Sequence, residues 1–347
     1  MKIIDYSLII KEAWENFDAS KSIAKIEDIS AKVSTNHVFR VTFDDEDIII
    51  AKLSYFGKYE HFKEDHRLIH ALTNNLLFPF ENVLAKSLVK NNKVYTYRYQ
   101  EGLTDAWVVF YNPIRVMEKL PRRLEEGHII KLGREIAKFH KACAKVKNVL
   151  PKSSKTLVSD IEHLLEILDT EDGQYEHRMH VDYLRSQCET FLQNIELLDY
   201  KTFESIPVFV DWNIGNFSVT DKLELFSRWD YDWFRMSSRV LDFYFFSRVV
   251  SDIGDRTVFS YVVGPLMEDR FILFLKEYHK VFPLTRNEVL FMKEAYRFFI
   301  LNYVIKHGRY FFHEIYATKL QREAYEKYLP SIEEEFNADK IIKELQL

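Results

Sequence analysis

Glycine is scarce in this chain, 9 of 347 residues, where an average protein carries about 7%. Neither G-x-G-x-x-G nor a Walker sequence occurs, which excludes the glycine-rich phosphate cradles of dinucleotide-binding and P-loop enzymes. Cysteine is scarcer still. Cys143 and Cys188 share no metal-type spacing, and they argue for a reducing compartment and two thiols, not a disulfide scaffold. Long apolar runs are also missing: Phe298-Phe-Ile-Leu301 and Phe243-Tyr-Phe-Phe246 fall far short of the ~20 residues that span a bilayer. Asp5 and Lys11 interrupt the amino-terminal segment before a signal-peptide core is complete. The expectation is a cytoplasmic protein with no membrane partner. A formal net charge of −5 and scattered basic residues give no reason to expect a nucleic-acid partner.

What is present is ample core material, 47% hydrophobic over 347 residues, enough for two domains or two lobes. The first part reads as strands: 38–43 and 48–53 around the acidic turn Asp44-Asp-Glu-Asp47, an alternating run at 94–100, and an apolar run at 106–111. Residues 61–72 read as a helix whose buried face is set by Leu68, Ile69 and Leu72. Asn112-Pro113 breaks the last strand, and beyond it helical patterns cover 127–146, 155–170, 181–197, 239–252, 265–280, 286–306 and 316–328. No internal repeat interrupts this order. The fold class expected is α+β, with a small β-rich lobe over residues 1–111 carrying one long helix and a larger, mainly helical lobe over 112–347.

The most informative stretch is Phe209-Val-Asp-Trp-Asn-Ile-Gly-Asn216, followed by Arg228-Trp-Asp-Tyr-Asp232. Between them, 216–219 and 223–226 read as a hairpin turning at Thr220-Asp-Lys222, which would return Asp230 to lie opposite Trp212. Asp-x4-Asn with a second Asp beyond a hairpin is the arrangement of a kinase. The first Asp, Asp211, orients and deprotonates the attacking hydroxyl, while Asn216 and Asp230 hold Mg²⁺ as hard oxygen ligands. Asp and Asn are common turn residues, so the match gains its force from what precedes it. Lys52, at the end of an apolar strand, is placed to pair the α- and β-phosphates of ATP if a helix behind it offers a carboxylate. Asp65 has the better helical phase for that and Glu64 the longer reach.

Taken in order, these pieces resemble the aminoglycoside phosphotransferase and choline kinase group of small-molecule kinases. Ser34-Thr-Asn36 precedes the second strand as that group's polar phosphate loop does, Leu132-Gly-Arg-Glu-Ile-Ala-Lys-Phe-His140 matches its Leu-Gly-x-x-Leu-Ala-x-x-His helix, and Asp242 matches an Asp at a helix start. The resemblance covers roughly residues 30 to 250. It implies a two-lobed protein-kinase-like fold, ATP or GTP as donor, Mg²⁺, and a small-molecule hydroxyl as acceptor. Ser34, Thr35 and Asn36 would contact phosphate, the backbone around 110–114 the base, and Asp232 the acceptor or a second metal. One departure stands out: the group writes His-Gly-Asp where this chain has Phe209-Val-Asp211. Phe209 could replace the His, a scaffold residue, by packing inward, whereas valine is a poor occupant of positive φ and suggests an altered loop. The departure also motivates a second expectation, a kinase fold kept for nucleotide binding or scaffolding without catalysis.

Three further features have plainer readings. The C-terminal aromatics from Trp233 to Tyr316 could cage an ammonium or stack on a sugar, but at helical spacing they fill cores. The acidic run Ser159-Asp-Ile-Glu162 through Glu171-Asp172 could attract a cationic acceptor or face water. His177-x-x-His180-x-Asp182 and the pair His66 and His70 lack further metal ligands, and His140 reads as a buried packing residue.

Overall fold

Asp5 starts the first helix by accepting from Ser7 N at 2.9 Å, and α1 (Tyr6–Phe17) buries Ile9, Ile10, Ala13 and Trp14 on one face. The computed structural model describes residues 5–30, 36–55, 57–102, 104–253 and 260–347. The α1 face packs on a five-stranded antiparallel sheet of order β1-β2-β3-β7-β6, formed by β1 (Ile23–Asp28), β2 (His37–Phe43), β3 (Ile48–Ser54), β6 (Thr96–Glu101) and β7 (Thr104–Tyr111), with a small ladder of β4 (Val89–Lys90) and β5 (Lys93–Val94) between. The strands read from the sequence are there, while α1 and β1 were not anticipated. Lys52 lies on the central strand, across from Val38 on β2 and Val109 on β7.

The long helix α2 (Tyr59–Asn75) buries Leu68, Ile69 and Leu72. These side chains belong to the large core shared with the helical part of the chain, whereas Trp14, Phe43, Val41 and Phe110 form a smaller core under the sheet. The sheet thus contributes to both: Val109 and Tyr111 of β7 join α2 in the large core, and the other face closes on α1. The helical part contains α3 (Glu126–Val146), α4 (Leu157–Asp169), α5 (Glu171–His177), α6 (Val181–Leu197), α7 (Phe243–Val250), α8 (Asp269–Val281), α9 (Arg286–Phe299), α10 (Gly308–Phe311), α11 (Glu314–Glu323), α12 (Leu329–Glu335) and α13 (Ala338–Leu345). A Cβ on Gly133 would stand 2.6 Å from the Phe274 carbonyl, so glycine is what lets α3 lie against α8. Among the described residues no helix is long and apolar enough to cross a membrane.

Some boundaries differ from the periodic reading. The expected helix 286–306 is α only to Phe299 and continues as π-helix over Ile300–Lys306, and that at 316–328 becomes π-helical over Ala324–Tyr328. Residues 239–242 form a 3₁₀ turn before α7. Two short ladders complete the fold: β8 (Ile206–Val208) with β11 (Arg235–Ser237), and β9 (Phe217–Val219) with β10 (Leu225–Arg228).

Candidate active site

The segment leaving β8 makes a tight turn in which Asp211 N donates to the Phe209 carbonyl at 2.6 Å. Val210 takes φ 61° there, a left-handed conformation that costs a β-branched residue roughly 1–2 kcal/mol. Valine is a poor occupant of this region, and it nonetheless takes the backbone that a glycine would adopt freely. Asp242 supplies the reason. Its Oδ1 accepts from Phe209 N at 3.0 Å and Val210 N at 2.6 Å, while Oδ2 meets His140 Nε2 at 3.0 Å and His140 Nδ1 meets the Tyr278 hydroxyl at 2.8 Å. His140 and Asp242 are fully buried, and this chain of bonds runs from α8 through α3 to the loop. Phe209 packs inward as expected, fully buried between Phe139, Trp212, Tyr231 and Phe234.

The turn presents Asp211 in a fixed orientation. Asn213 donates to Oδ1 from its backbone N at 3.2 Å and from its side chain, and Asn216 Nδ2 donates to Oδ2 at 3.0 Å. The hairpin brings the second acid back, though in a different register from the one expected. Arg228 pairs with Phe217, and Trp229 N donates to the Asn216 carbonyl at 3.0 Å. Asp230 therefore sits just past the ladder beside the Asn216 turn, not opposite Trp212.

Lys52 reaches Asp230 Oδ1 at 2.9 Å and also pairs with Asp232. The expected partners, Asp65 and Glu64, do not bind it. Asp65 instead accepts from Lys155 Nζ at 2.7 Å, and Glu64 Oε1 accepts from Ser154 N at 2.7 Å and Ser153 Oγ at 2.9 Å. The reason is geometric: β3 directs Lys52 toward the Asp230–Asp232 turn, and α2 turns its acids to the segment entering α4. Burial opposes the charge on Lys52, yet Asp230 and Asp232 together raise its pKa. Burial also pushes the Asp232 carboxyl up to about 6, with Asp230 adding to the effect and Lys52 opposing it. At Asp230, whose side chain is 41% exposed to the cavity, partial desolvation acts in the same direction, but Lys52 and Arg228 hold its pKa below the usual value.

Of the phosphate-loop candidates, Ser34 and Thr35 lie outside the described residues. Asn36 is buried, donates to Asp232 Oδ2 at 2.6 Å and accepts from Ser54 Oγ at 3.4 Å. Asn36, Lys52, Asn216, Asp230 and Asp232 all line one cavity of about 610 Å³, whose apolar wall includes Val38, Ile50, Ala85, Tyr111 and Ile114. Within the connector expected to meet a base, the Phe110 carbonyl accepts from Leu88 N and Asn112 N donates to the Lys86 carbonyl. Tyr111, Asn112, Pro113 and Ile114 are the part of it that lines the cavity.

A second cavity of about 460 Å³ shares Tyr231 and Asp232 with the first and runs beneath α2. Its wall includes Asp65, Lys155, Asp160, Arg235, Asn302 and Lys306, the last two from the π-helical segment, a distortion often found at functional sites. The charges there are paired: Arg235 Nη2 donates to Asp160 Oδ2 at 2.9 Å, and Lys306 Nζ to the Asp160 carbonyl at 2.8 Å. Asp160 thus turns inward from the acidic run, whereas Glu162 is exposed. The aromatic run is mostly core, with Tyr244, Phe245, Phe246, Tyr296 and Phe298 buried, although Trp233, Tyr303 and Phe311 edge this cavity. The histidines have ordinary partners: His177 Nδ1 meets the Tyr325 hydroxyl at 2.7 Å, His180 stacks on the same ring, and His66 Nδ1 bonds the Phe62 carbonyl at 2.7 Å. Among the described residues no three His, Cys, Asp or Glu side chains gather as a metal cluster. Two residues received no role from the sequence: Lys155, which lies in no motif and meets Asp65 from 90 residues away, and Arg228, which heads the Asp230 motif but acts through backbone carbonyls that a sequence pattern does not show.

No protein-family model matches the sequence, and comparison with curated proteins gives no match. Solved structures do match. Amicoumacin kinase hAmiN in complex with AMP-PNP, Ca²⁺ and Ami has a TM-score of 0.64 at 13% identity, covering 97% of each chain. The gentamicin–APH(2″)-IIa complex has 0.56 at 14% identity over 94% of this chain and 98% of that one. Macrolide 2′-phosphotransferase type I has 0.54 at 10% identity, over 93% and 99%. The likeness extends over nearly the whole length of each chain and establishes a shared fold.

Proposed function

We propose that this chain, which has the fold of the aminoglycoside and macrolide phosphotransferases, is a kinase that transfers the γ-phosphate of ATP or GTP to a hydroxyl of a small molecule. The observation that carries this reading is a convergence at one cavity: Lys52, Asn216 and Asp230 line it, and Asn216 holds the carboxylate of Asp211. In the reaction the acceptor oxygen attacks the γ-phosphorus, the bond to the β-phosphate oxygen breaks, and the hydroxyl proton passes to Asp211. Lys52 would bind the α- and β-phosphates. Asp230 and Asn216 would hold Mg²⁺, which when bound neutralises charge on the β- and γ-phosphates. The residues fit such an ion. Asp230 and Asp232 share the ammonium of Lys52, leaving an excess of negative charge, and Asn216 has its amide nitrogen on Asp211 with its oxygen left to ligate.

The second cavity is where we place the acceptor. Its wall carries Lys58, Lys155, Arg235 and Lys306 against Asp65, Asp160, Glu162, Glu166 and Asp232, and Asp232 is already paired with Lys52. A wall so nearly balanced suits a neutral or zwitterionic acceptor better than a polycation.

Thermal unfolding with ATP or GTP, with and without Mg²⁺, tests the nucleotide site, because a ligand of the native state raises the melting point. A Mg²⁺-dependent shift lost in Asp230→Asn is expected. Asp211→Asn should keep that shift while turnover falls by about 10³-fold or more, on the scale of losing a residue that orients and deprotonates the nucleophile. Nucleotide binding without turnover over a panel of polycationic, zwitterionic and neutral hydroxyl compounds would favour a non-catalytic role for the fold.

A further inference from the structure

Arg228 ends β10 with its side chain wholly inside the protein. Burying a cation is costly unless a carboxylate compensates it, yet among the described residues no carboxylate bonds this guanidinium. It donates instead to three backbone carbonyls: Nη2 to that of Asp211 at 2.8 Å, and Nη1 to those of Trp229 and Asp230. Three rings enclose it, with its central carbon 4.6 Å from the centroid of Phe209, 5.2 Å from Trp212 and 5.7 Å from Tyr231. Its own backbone is fastened on both sides, the N–H to the Val83 carbonyl at 2.7 Å and the carbonyl to the Tyr231 hydroxyl at 2.9 Å.

The carbonyls it joins belong to the two segments the proposed chemistry must hold in register. One carries Asp211 and the other Asp230. Each segment contains a residue in the left-handed region, Val210 at φ 61° and Asp230 at φ 65°, a conformation that costs the valine and that aspartate adopts more readily. Asp242 restrains the first segment from behind through Phe209 N and Val210 N, but it makes no bond to the second. The ladder bond from Trp229 N to the Asn216 carbonyl joins the two segments at their far end, and the planar fork of Arg228 is the side chain that bonds the backbone of both acids, at the Asp211 and Asp230 carbonyls. Phe209, where the resembled group has a scaffolding histidine, brings no polar atom and offers its ring face as the seat of that fork.

We propose that Arg228, seated on Phe209, is the positioning residue that fixes the Asp211 segment against the Asp230 segment, and that the two side chains act as a unit. The inference rests on the phosphotransferase reading above. Lysine keeps the charge but lacks the fork that reaches carbonyls on both segments.

The test compares wild type with Arg228→Lys, Arg228→Met, Phe209→Leu and the double variant Phe209→Leu/Arg228→Met. Melting temperature, Mg²⁺-dependent ATP affinity, and kcat and KM for an acceptor found by screening are measured for each. Arg228→Lys and Arg228→Met should lose about 100-fold in kcat, the cost of misplacing a catalytic group by about 1 Å. ATP affinity in Mg²⁺ should fall about tenfold or more, while metal-free ATP affinity stays near that of wild type. Phe209→Leu keeps an apolar side chain in place, so it covers the case in which the arginine variants do not fold. It should reproduce the kcat loss in part, and the double variant should lose no more than Arg228→Met alone. Variants that melt lower yet keep wild-type kcat and Mg²⁺-dependent affinity would reduce Arg228 to a packing residue and overturn the proposal, as would full activity in Arg228→Lys or additive losses in the double variant. Wild type that binds Mg²⁺–ATP without turnover would remove the phosphotransferase reading and leave the inference to be decided by the affinity arm. Wild type that binds no nucleotide removes both.

Discussion

A valine held at φ 61° beside Asp211 sets two energies against each other. The left-handed backbone costs it roughly 1–2 kcal/mol, whereas a buried valine side chain contributes about 1.5–3 kcal/mol, and Val210 is only 2% exposed. Burial wins, which is why this residue is tolerated where glycine would be free of strain. The prediction concerns the order of two variants. At an ordinary buried position alanine is more stable than glycine by about 0.5–1 kcal/mol, but here Val210→Ala loses the methyls and keeps the strain, while Val210→Gly loses the methyls and is relieved of it. Chemical denaturation should find Val210→Gly at least as stable as Val210→Ala, with both below wild type. The usual order would mean that Val210 carries no backbone strain. The sequence disclosed the substitution and its conflict with positive φ, but not the outcome, because Asp242 decides it from a position 32 residues away along the chain.

At the scale of elements, the sequence showed where α2 lies and which face it buries, since Leu68, Ile69 and Leu72 set the helical period. It did not show where the acids of that helix point. Helical phase ranks Asp65 over Glu64 only relative to the buried stripe, and the partner that captured Asp65 lies 90 residues ahead in the chain. The hairpin was legible for similar reasons, but its register was not, because the loop between β9 and β10 holds two residues more than a simple turn at 220–222 allows. Asp65 and Lys155 now permit a prediction with a sign. Burial pushes the Asp65 carboxyl up to about 6, with Lys155 as the main opposing influence. Because this folded-state value exceeds that of the unfolded chain, the native state binds the proton more tightly, and the group's contribution to stability declines as pH rises from about 4 to 6. Lys155→Met removes the opposing cation and leaves a buried carboxylate uncompensated, a loss of about 3–5 kcal/mol when the carboxyl is ionised. Melting curves should show the Lys155→Met deficit growing from pH 5 to pH 8. A deficit independent of pH would mean that Lys155 acts through packing and its 2.9 Å bond to the Phe234 carbonyl alone.

Across the whole molecule, one face of the sheet closes a small core with α1 while Val109 and Tyr111 of β7 join the large core of the helical part, and the cavity lined by Lys52 and Asp230 opens between sheet and helices. Polar ties join the two across that cavity: Lys52 on β3 to Asp230 and Asp232, and Asn36 to Asp232. A nucleotide that takes Lys52 for its phosphates must break the first of these ties, so part of its binding energy goes into exchanging one contact between the lobes for another. A divalent cation arriving alone faces the same obstacle, since the two carboxylates are already served by an ammonium. This makes Lys52→Met informative in a way that loss of activity would not be. With the ammonium gone, Asp230 and Asp232 repel each other unrelieved, so the variant should melt below wild type in chelator. Mg²⁺ without nucleotide should then raise its melting point more than it raises that of wild type, because the ion no longer competes with a resident cation. The response to ATP should move the other way, with the Mg²⁺-dependent shift smaller in Lys52→Met. A Mg²⁺ shift no larger than that of wild type would place the ion elsewhere and leave the acid pair serving only to hold the sheet against the helices.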